Sequence, residues 1–560
     1  MRSDQQQAIN RLAGTSATAF LCAVLCVYPL YIDKFSNLGV TKFTGCFTLF
    51  LLFLLWLVAC TAIGARAPRP RNANAGRDVT LWGVLAFAGT SLISTFTSLS
   101  PTASTWGLGG YYGGLMLVLF TAAGYWAVRS YLDLENLDFV FWVLGITTSI
   151  VAVLYVLNIF NIDLIGAYAD TAVVERAQFF STLGQKDFNG CFFSVALPIV
   201  FYQFLNAKDT RTAVWTGIPA AFGALALAVV DSEALALGIG AAVMVLVCHK
   251  NFTTRHLRRA ALISAAFFGW AAWMHYMRAS VYTQGGTALL AKLGAWQVAL
   301  PCMAASLLLW LVLFVLARKG IAAQAPLYLP GRVITIAVLA VGALAFVLAN
   351  AMPNLPLPES LHNLLVFNDD WGTYRGVAWR AAFGTWADGS LLRKIVGIGP
   401  GMMHTAVAAW AGDAMTARMA TFYAAHNEYL EQLLTTGILG LAAWLLLVAA
   451  HLQRGERSWN TPGVAPVMLA LCSYLAQAVV SIRVSMVFPL VMLLFGALAA
   501  LTAPELPQPA APAPRSKKQQ KPEPLPPKNA WYFAKTVLAA VLCMAAASGI
   551  APLLFGFLMG

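Results

Sequence analysis

The residues best suited to chemistry are His426 and Asn427, which stand directly before a hydrophobic segment that runs to Leu447. Imidazole is the side chain best suited to move protons near neutral pH. At the start of a helix, the polar groups of both residues can face a cavity formed by the preceding loop. A histidine in such a position is more often a cap or a satisfied polar group. The other six histidines, including His362 and His404, are given that structural interpretation.

Two pairs of glycines accompany this candidate. Gly437 and Gly440 lie three residues apart in the hydrophobic segment and leave one helix face thin, which allows close packing against a neighbour. Gly397 and Gly399 form a second pair, followed by Pro400. A nucleotide-binding loop is a poor interpretation of this second pair, because no strand precedes it and the proline interrupts it. The second pair instead predicts a tight turn whose backbone approaches a partner.

The polar segment 353–427 contains a predicted amphipathic helix over residues 371–386. Arg375 stands at the head of its apolar face, and Arg380 points elsewhere. On physical grounds alone we favour an interfacial helix whose arginines contact lipid phosphates. The alternative is that Arg375 binds one specific phosphate, since a guanidinium offers bidentate and permanently charged donors. The apolar face consists of Ala378, Trp379, Ala382, Phe383 and Trp386.

A second group of polar residues precedes a hydrophobic segment near the middle of the chain. It contains Arg176 and Lys186, and Asn189 begins the segment itself. Polar groups at the edge of a membrane are costly and usually functional. The residues Asp231-Ser232-Glu233 lie in a turn between two short apolar segments. We favour a charged hairpin there, with a carboxylate of the site as the alternative.

The composition places these motifs in a helical membrane protein. Of 560 residues, 59% are hydrophobic and 11% are charged, and the mean hydropathy is +0.71, which excludes a soluble globular domain. The predicted fold class is all-α, a polytopic membrane protein with about 14–15 transmembrane helices, each able to cross a hydrocarbon core of about 30 Å. The net charge of +13 then concerns membrane orientation rather than nucleic acid. The predicted spans lie near 15–32, 44–65, 79–98, 113–130, 137–158, 189–206, 213–230, 233–249, 259–276, 295–317, 332–352, 429–450, 463–482, 485–502 and 532–556.

Orientation follows from the Lys and Arg residues of the loops. With the N-terminus in the cytoplasm, the cytoplasmic loops hold about twice as many of them as the opposite loops, which satisfies the positive-inside rule. The segment 353–427 then forms one large extracytoplasmic loop, too long for a simple connection. An uncleaved first span is favoured over a signal peptide. None of the nine cysteines lies in the outer loops, so neither a disulfide framework nor a metal site is predicted.

The chain divides into four parts in this interpretation. Residues 1–175 form N-terminal transmembrane helices, and residues 176–502 form a core that includes the loop 353–427. A cytoplasmic linker rich in Pro, Ala and Lys follows at 503–530, and residues 531–560 form a last transmembrane helix. The linker and the last helix are additions to the core.

In their order along the chain, these motifs resemble the signature of the O-antigen ligase and polymerase family of bacterial envelope glycosyltransferases. The resemblance covers residues 176–491. It departs from the family pattern at Leu441, where a small or β-branched residue is usual, and at Ser232-Glu233, where a Ser-Arg element is usual. The residues that carry it are Arg176, Asn189, Arg375, Gly397, Gly399, His426, Asn427, Gly437 and Gly440.

The resemblance implies a GT-C-like glycosyltransferase in the bacterial cytoplasmic membrane. The donor would be a polyprenyl-pyrophosphate-linked glycan, with an undecaprenyl tail in the bilayer, and the acceptor a glycan, a lipid or a protein. No cofactor, metal or nucleic acid is expected. The implied roles are catalysis for His426 and Asn427, pyrophosphate binding for Arg375, Arg176 and Arg380, and structural motifs for Gly397, Gly399, Gly437, Gly440 and Asn189.

Two other classes of function stay open. A transporter or flippase of lipid-linked glycans or other envelope precursors would show polar residues in the middle of the membrane and duplicated halves, and no internal repeat is evident. The polar residues cluster at the outer edge instead, which favours an enzyme. A glycan-binding scaffold would need the outer loop but not His426.

Overall fold

The computed structural model of the protein describes residues 2–63, 78–107, 110–280, 293–321, 323–352, 355–410, 423–503 and 530–559. Within them the regular structure is helical, and the only β-bridges are two isolated ones. Of the predicted linker 503–530, residues 504–529 lie outside the described residues. The helices are α1 (Arg2–Cys22), α2 (Leu38–Ile63), α3 (Val79–Phe96), α4 (Pro101–Trp106), α5 (Leu115–Tyr131), α6 (Leu137–Ile159), α7 (Lys186–Leu205), α8 (Thr210–Val229), α9 (Glu233–Cys248), α10 (Thr254–Ser280), α11 (Trp296–Arg318), α12 (Tyr328–Ala351), α13 (Glu359–Leu365), α14 (Trp371–Ala387), α15 (Leu391–Val396), α16 (Glu428–Arg457), α17 (Val464–Gln477), α18 (Phe488–Leu501) and α19 (Ala530–Met559).

Ten helical segments of the described residues are long and apolar enough to cross a membrane, which confirms a polytopic helical membrane protein. Each of the fifteen predicted spans coincides with a helix. Five of these helices are not long and apolar enough to be counted among the ten. Four of them have at most 17 residues each, namely α5, α9, α17 and α18, and the fifth, α10, carries several arginines. A helix of 14 residues is about 21 Å long, shorter than a hydrocarbon core of about 30 Å.

Helix α18 forms the centre of the bundle. Every one of its residues is buried, and it packs mainly against α5. Helix α17 packs against α7 and α9, and α16 runs along α3. Helices α11 and α12 lie at the periphery, where only 6% of the apolar window of each is buried by protein. Their exposed apolar side chains are what a lipid-facing helix requires.

The connection between α17 and α18, residues 478–487, is largely non-helical although most of it is buried. Such backbone is tolerated at membrane depth only where protein covers it. The backbone N–H of Glu428, at the start of α16, donates to the carbonyl oxygen of Ala478 at 2.9 Å. The connection therefore lies at the end of the bundle that holds His426, which we call the site end.

At the opposite end of α16, Asp78 joins three helices. Its carboxylate contacts Arg129 of α5 and accepts from Nη1 of Arg454, on α16, at 2.7 Å. It also accepts from the backbone N–H of Thr80 at 3.1 Å and so caps α3. Burial alone raises the pKa of Asp78, but the hydrogen bonds and the two guanidinium charges lower it to about 2. The ionised carboxylate ties α3, α5 and α16 together.

Ionisable side chains also lie buried inside the bundle. Lys42 of α2 is fully buried, and its Nζ donates to the carbonyl oxygens of Tyr28 at 3.1 Å and Pro29 at 2.9 Å. His451 of α16 is also buried, with Nε2 2.9 Å from the hydroxyl of Tyr125. Both side chains are hydrogen-bonded to protein groups, as structural residues are. Their presence in the bundle therefore does not indicate a transport path.

Candidate functional site

His426 lies directly before α16 in a left-handed conformation, with φ of 51°. This conformation is uncommon for a residue other than glycine and costs about 1–3 kcal/mol. Its Nδ1 lies 3.1 Å from the carbonyl oxygen of Ala424. Because a carbonyl oxygen can only accept, Nδ1 carries the proton of the neutral ring and Nε2 carries the lone pair. The backbone thus holds the ring in the tautomer that a proton acceptor at Nε2 needs.

The surroundings of His426 favour the neutral ring. Burial is the largest cause, and it lowers the pKa of the imidazole below its ordinary value of about 6.5. The positive charge of Arg375 lowers this pKa further, whereas the Ala424 carbonyl and the negative charge of Asp187 oppose the shift. The ring is therefore neutral at pH 7 and able to accept a proton.

Asn427 is the N-cap of α16. Its Oδ1 accepts hydrogen bonds from the backbone N–H groups of Tyr429 at 3.0 Å and Leu430 at 3.1 Å. Asparagine is among the residues that best satisfy the free N–H groups of a first helical turn. The side-chain oxygen is thus occupied by the helix start. Through this cap Asn427 fixes the backbone directly after His426, and the catalytic role that the resemblance implies for Asn427 stays a prediction.

Arg375 begins the regular part of α14, since Gly372, Thr373 and Tyr374 before it are left-handed. Its Nη1 donates to the carbonyl oxygen of Gly372 at 3.1 Å and lies 3.4 Å from Oε2 of Glu233. The side chain of Arg375 is 12% exposed and that of Glu233 is 74% exposed. Among the residues described, the buried Nε of Arg375 has no hydrogen-bond partner. This cation therefore combines an unused donor with an exposed carboxylate that a stronger anion could displace.

Helix α14 is present as predicted, but its buried face differs from the predicted stripe. The buried residues are Gly376, Val377, Ala378, Ala381 and Ala382. Phe383 is 52% exposed, and the small buried face packs on α16 instead of lying in lipid. The small side chains allow α14 to approach α16 closely.

The other two predicted pyrophosphate ligands have different described contacts. Arg380 is 55% exposed and forms an ion pair with Asp369. The described contacts of Arg176 are with Thr171, whose carbonyl accepts from Nε at 3.5 Å, and with the ring of Tyr168, 5.4 Å from the guanidinium carbon. Among the described contacts of both arginines, none is with His426 or Arg375.

The two glycine pairs meet each other. Helix α16 is interrupted at Gly437, with φ of 68° and ψ of −171°, a conformation open essentially to glycine alone. A Cβ atom there would collide with the backbone of Ile395 and Val396. A Cβ atom on Gly397, whose φ is 82°, would in turn collide with the backbone of Thr435. The turn predicted from the second glycine pair therefore approaches the break in α16.

The carbonyl oxygen of Thr435, released by the break, collects three donors. They are the backbone N–H groups of Ile398 at 3.1 Å and Gly399 at 2.9 Å, and the hydroxyl of Ser94 on α3 at 2.6 Å. The break in α16 thus contacts α3 and the predicted extracytoplasmic segment 353–427, which we call the outer segment, at one point. At Gly440 the nearest neighbour of an added Cβ would instead be Thr436 of the same helix.

Asn189 fixes the loop before α7. Its Nδ2 donates to the carbonyl oxygens of Gly184 at 2.9 Å and Gln185 at 3.1 Å, and its Oδ1 accepts from the hydroxyl of Ser181 at 2.6 Å. The side chain is fully buried. It organises the start of α7, where Asp187 stands.

The hairpin Asp231-Ser232-Glu233 belongs to the neighbourhood of His426. The hydroxyl of Ser232 donates to Oδ1 of Asp187 at 2.8 Å, and Lys186 lies 3.8 Å from Asp231. Because Glu233 contacts Arg375, the alternative of a carboxylate at the site agrees with this geometry better than an isolated charged hairpin.

The sequence reasoning missed a buried ion pair at the site end. Glu428, in the first turn of α16, is fully buried and accepts from the hydroxyl of Tyr474 at 2.6 Å and from Nε of Arg483 at 3.4 Å. The guanidinium of Arg483 also lies over the ring of Phe488, at 4.6 Å. A signal existed, since an arginine between two strongly apolar segments and a carboxylate inside a span are both costly without a partner.

Among the described residues, no group of three His, Cys, Asp or Glu side chains is arranged to hold a metal ion. No protein-family model and no curated protein sequence matches this chain.

Proposed function

We propose that this protein is a glycosyltransferase that moves a glycan from a polyprenyl pyrophosphate to an acceptor hydroxyl at the extracytoplasmic face of the bacterial cytoplasmic membrane. The observation that carries the proposal is that one end of the bundle holds both an imidazole whose tautomer the backbone fixes and a mostly buried guanidinium, Arg375, whose Nε has no partner among the described residues. The charge of Arg375 also lowers the pKa of His426. The imidazole fits a hydroxyl nucleophile and the guanidinium a diphosphate leaving group. The motif resemblance supports the same class of reaction.

In the proposed reaction the acceptor oxygen forms a bond to the anomeric carbon of the donor glycan. The bond from that carbon to the pyrophosphate oxygen breaks, and the polyprenyl pyrophosphate leaves with the bonding electrons. Nε2 of His426 takes the proton of the acceptor hydroxyl, and this proton then passes to solvent. The guanidinium of Arg375 stabilises the charge that grows on the leaving oxygen, in exchange for its contact with Glu233.

The acceptor class distinguishes a lipid ligase from a polysaccharide polymerase or a protein glycosyltransferase. All three would use the same His426 and Arg375. The donor and the bond that breaks are the same in all three. The acceptor is a glycan, a lipid or a protein, as the resemblance implies.

Replacing Arg375 tests the leaving-group role. We expect the Arg375→Gln variant to lose transfer by about 10²–10³-fold, since one preorganised charged donor is lost. Arg375→Lys keeps the charge but not the bidentate fork, and should recover only part of the loss. The measurement is glycan transfer by purified protein with a lipid-linked donor. Arg393→Gln, an exposed arginine of the same outer segment, is the matched control. Wild-type rates in both Arg375 variants would contradict the assignment.

The pH dependence of transfer reports on His426. Since the neutral ring is the active form, the rate should fall only as pH drops through the lowered pKa of His426, below about 6.5. Asp187 raises this pKa, so Asp187→Asn should move the acid limb to lower pH. Arg375 lowers it, so Arg375→Gln should move the limb to higher pH. The measurement is kcat/KM against pH, with Glu359→Gln as the control. A limb that stays in place in both charge variants would exclude His426 as the titrating group.

A further inference from the structure

A cavity lies beneath the loop that carries His426, and its empty space of about 590 Å³ includes the part that is open to solvent. Its wall is formed by the first turns of α16, by α3, and by segments before α5, after α15 and before α18. It touches the catalytic loop through Tyr423 and Ala424, and the carbonyl of Ala424 orients the imidazole. Its polar and aromatic lining includes Ser91, Tyr111, Tyr423, Glu431, Gln432 and Arg483.

The charge of this cavity does not fit a diphosphate. Its one cation, Arg483, is already paired with Glu428 at 3.4 Å. Glu431 lines the cavity as well, and its Oε2 accepts from the backbone N–H of Ala425 at 2.7 Å. Glu431 in the lining and Glu428 beside it offset the charge of Arg483, so a pyrophosphate would gain little here compared with Arg375.

The chemistry of the lining fits a sugar ring instead. The rings of Tyr111 and Tyr423 lie 6.0 Å apart at an angle of 45°, and His404 stacks on Tyr423 at 4.6 Å. Aromatic faces with partial negative charge suit the C–H face of a pyranose. The carboxylate of Glu431 accepts hydrogen bonds from hydroxyl groups, and the amide of Gln432 and the hydroxyl of Ser91 add further polar contacts at the edge. Pockets that combine apolar faces with a few placed polar groups are typical of small-molecule sites.

We propose that this cavity is a sugar subsite that receives one pyranose ring of a glycan substrate, separate from the pyrophosphate site at Arg375. The inference rests on the proposed function and deepens it. A ring seated against Ala424 lies beside the backbone that holds His426, and Glu431 braces that backbone through Ala425. Occupation of the cavity would thus place a sugar beside the loop whose backbone orients the imidazole of His426. The donor glycan and the acceptor glycan share this chemistry, and the arms of the test distinguish them.

The test separates sugar recognition from lipid recognition. Purified full-length protein in nanodiscs is titrated with the host's lipid-linked glycan and with undecaprenyl pyrophosphate that carries no sugar. Wild-type protein should prefer the glycan-bearing lipid by about tenfold. Tyr111→Leu and Glu431→Gln should lose this preference and leave the affinity for the bare lipid within about twofold. Tyr111→Phe, which keeps the ring, should retain it. Tyr276→Leu and Glu359→Gln, at exposed positions, are the matched controls.

The results distinguish a donor sugar from an acceptor sugar, and they test the sugar subsite separately from the proposed function. If the donor preference persists but the KM for the acceptor glycan rises about tenfold in the same variants, the subsite holds the acceptor sugar, which supports the inference. Equal loss of affinity for both lipids would place the pyrophosphate in the cavity and overturn it, as would unchanged affinity and unchanged KM. Sugar-dependent binding without any transfer would remove the proposed function and leave the subsite standing.

Discussion

The His426→Ala variant is expected to lose glycan transfer by about 10²–10⁴-fold, the range that one general base contributes. The neutral ring, with its proton fixed on Nδ1 by the Ala424 carbonyl, can take the acceptor proton near pH 7. Donor binding should change little, because the proposed pyrophosphate ligand is Arg375. The measurements are single-turnover transfer and donor affinity of the purified protein.

Backbone strain at His426 calls for a second variant. Alanine at φ of 51° is strained, whereas asparagine tolerates this conformation, so His426→Asn removes the imidazole with less disturbance of the loop. Both variants should be equally inactive if proton transfer is the cause. His362→Ala, at an exposed position of the outer segment, is the matched control. Transfer within about twofold of wild type in His426→Asn would remove the imidazole from the mechanism and leave a scaffold or a different base.

The transmembrane helices could be predicted well because hydropathy depends on local composition alone. All fifteen predicted spans fall on helices, including the short α17 and α18. Composition does not reveal that α18 is wholly enclosed whereas α11 and α12 are almost bare, since all three are strongly apolar. Depth in the bundle is decided by tertiary packing.

The start of α14 shows where periodicity fails. The pattern over 371–386 predicts a helix from Trp371, yet Gly372 to Tyr374 are left-handed. The backbone N–H of Val377 donates to the carbonyl of Asp369 at 3.1 Å, and a Cβ on Gly376 would collide with Asn368. A tight backbone approach just before the helix thus sets its first turn, and side-chain periodicity carries no information about it.

The candidate site could likewise be predicted only in part from the sequence. His426 and Arg375 could be chosen from the chemistry of their side chains, and Gly397 and Gly437 from their freedom of conformation. The pair of Glu428 with Arg483 joins residues 55 positions apart, which no local pattern connects. Arg176 and Arg380 carry the right chemistry as well, but their described contacts lie with Tyr168 and Asp369. Residue type selects candidates, and only the fold decides which of them meet.

The Gly437→Ala variant is expected to lose about 3 kcal/mol or more of stability. Alanine is strained at φ of 68° and ψ of −171°, and its Cβ would strike the backbone of Ile395 and Val396, which cannot yield as a flexible side chain can. The measurement is the thermal midpoint of the detergent-solubilised protein by fluorescence-detected size exclusion. Gly89→Ala and Gly342→Ala, in helices where an added Cβ meets nothing within 4 Å, are the matched controls and should be neutral or slightly stabilising.

A double variant distinguishes local strain from loss of the joint between α16 and the outer segment. Gly397 and Gly437 face each other across the same contact, so Gly397→Ala should be about as destabilising as Gly437→Ala. Once either substitution has disrupted this contact, the second substitution removes fewer remaining interactions. The loss of stability in the double variant should therefore fall short of the sum of the two single losses by about 1 kcal/mol or more. Strict additivity would mean two independent strained residues. A Gly437→Ala protein with the wild-type midpoint and wild-type transfer would mean that α16 runs unbroken and that the outer segment is held elsewhere.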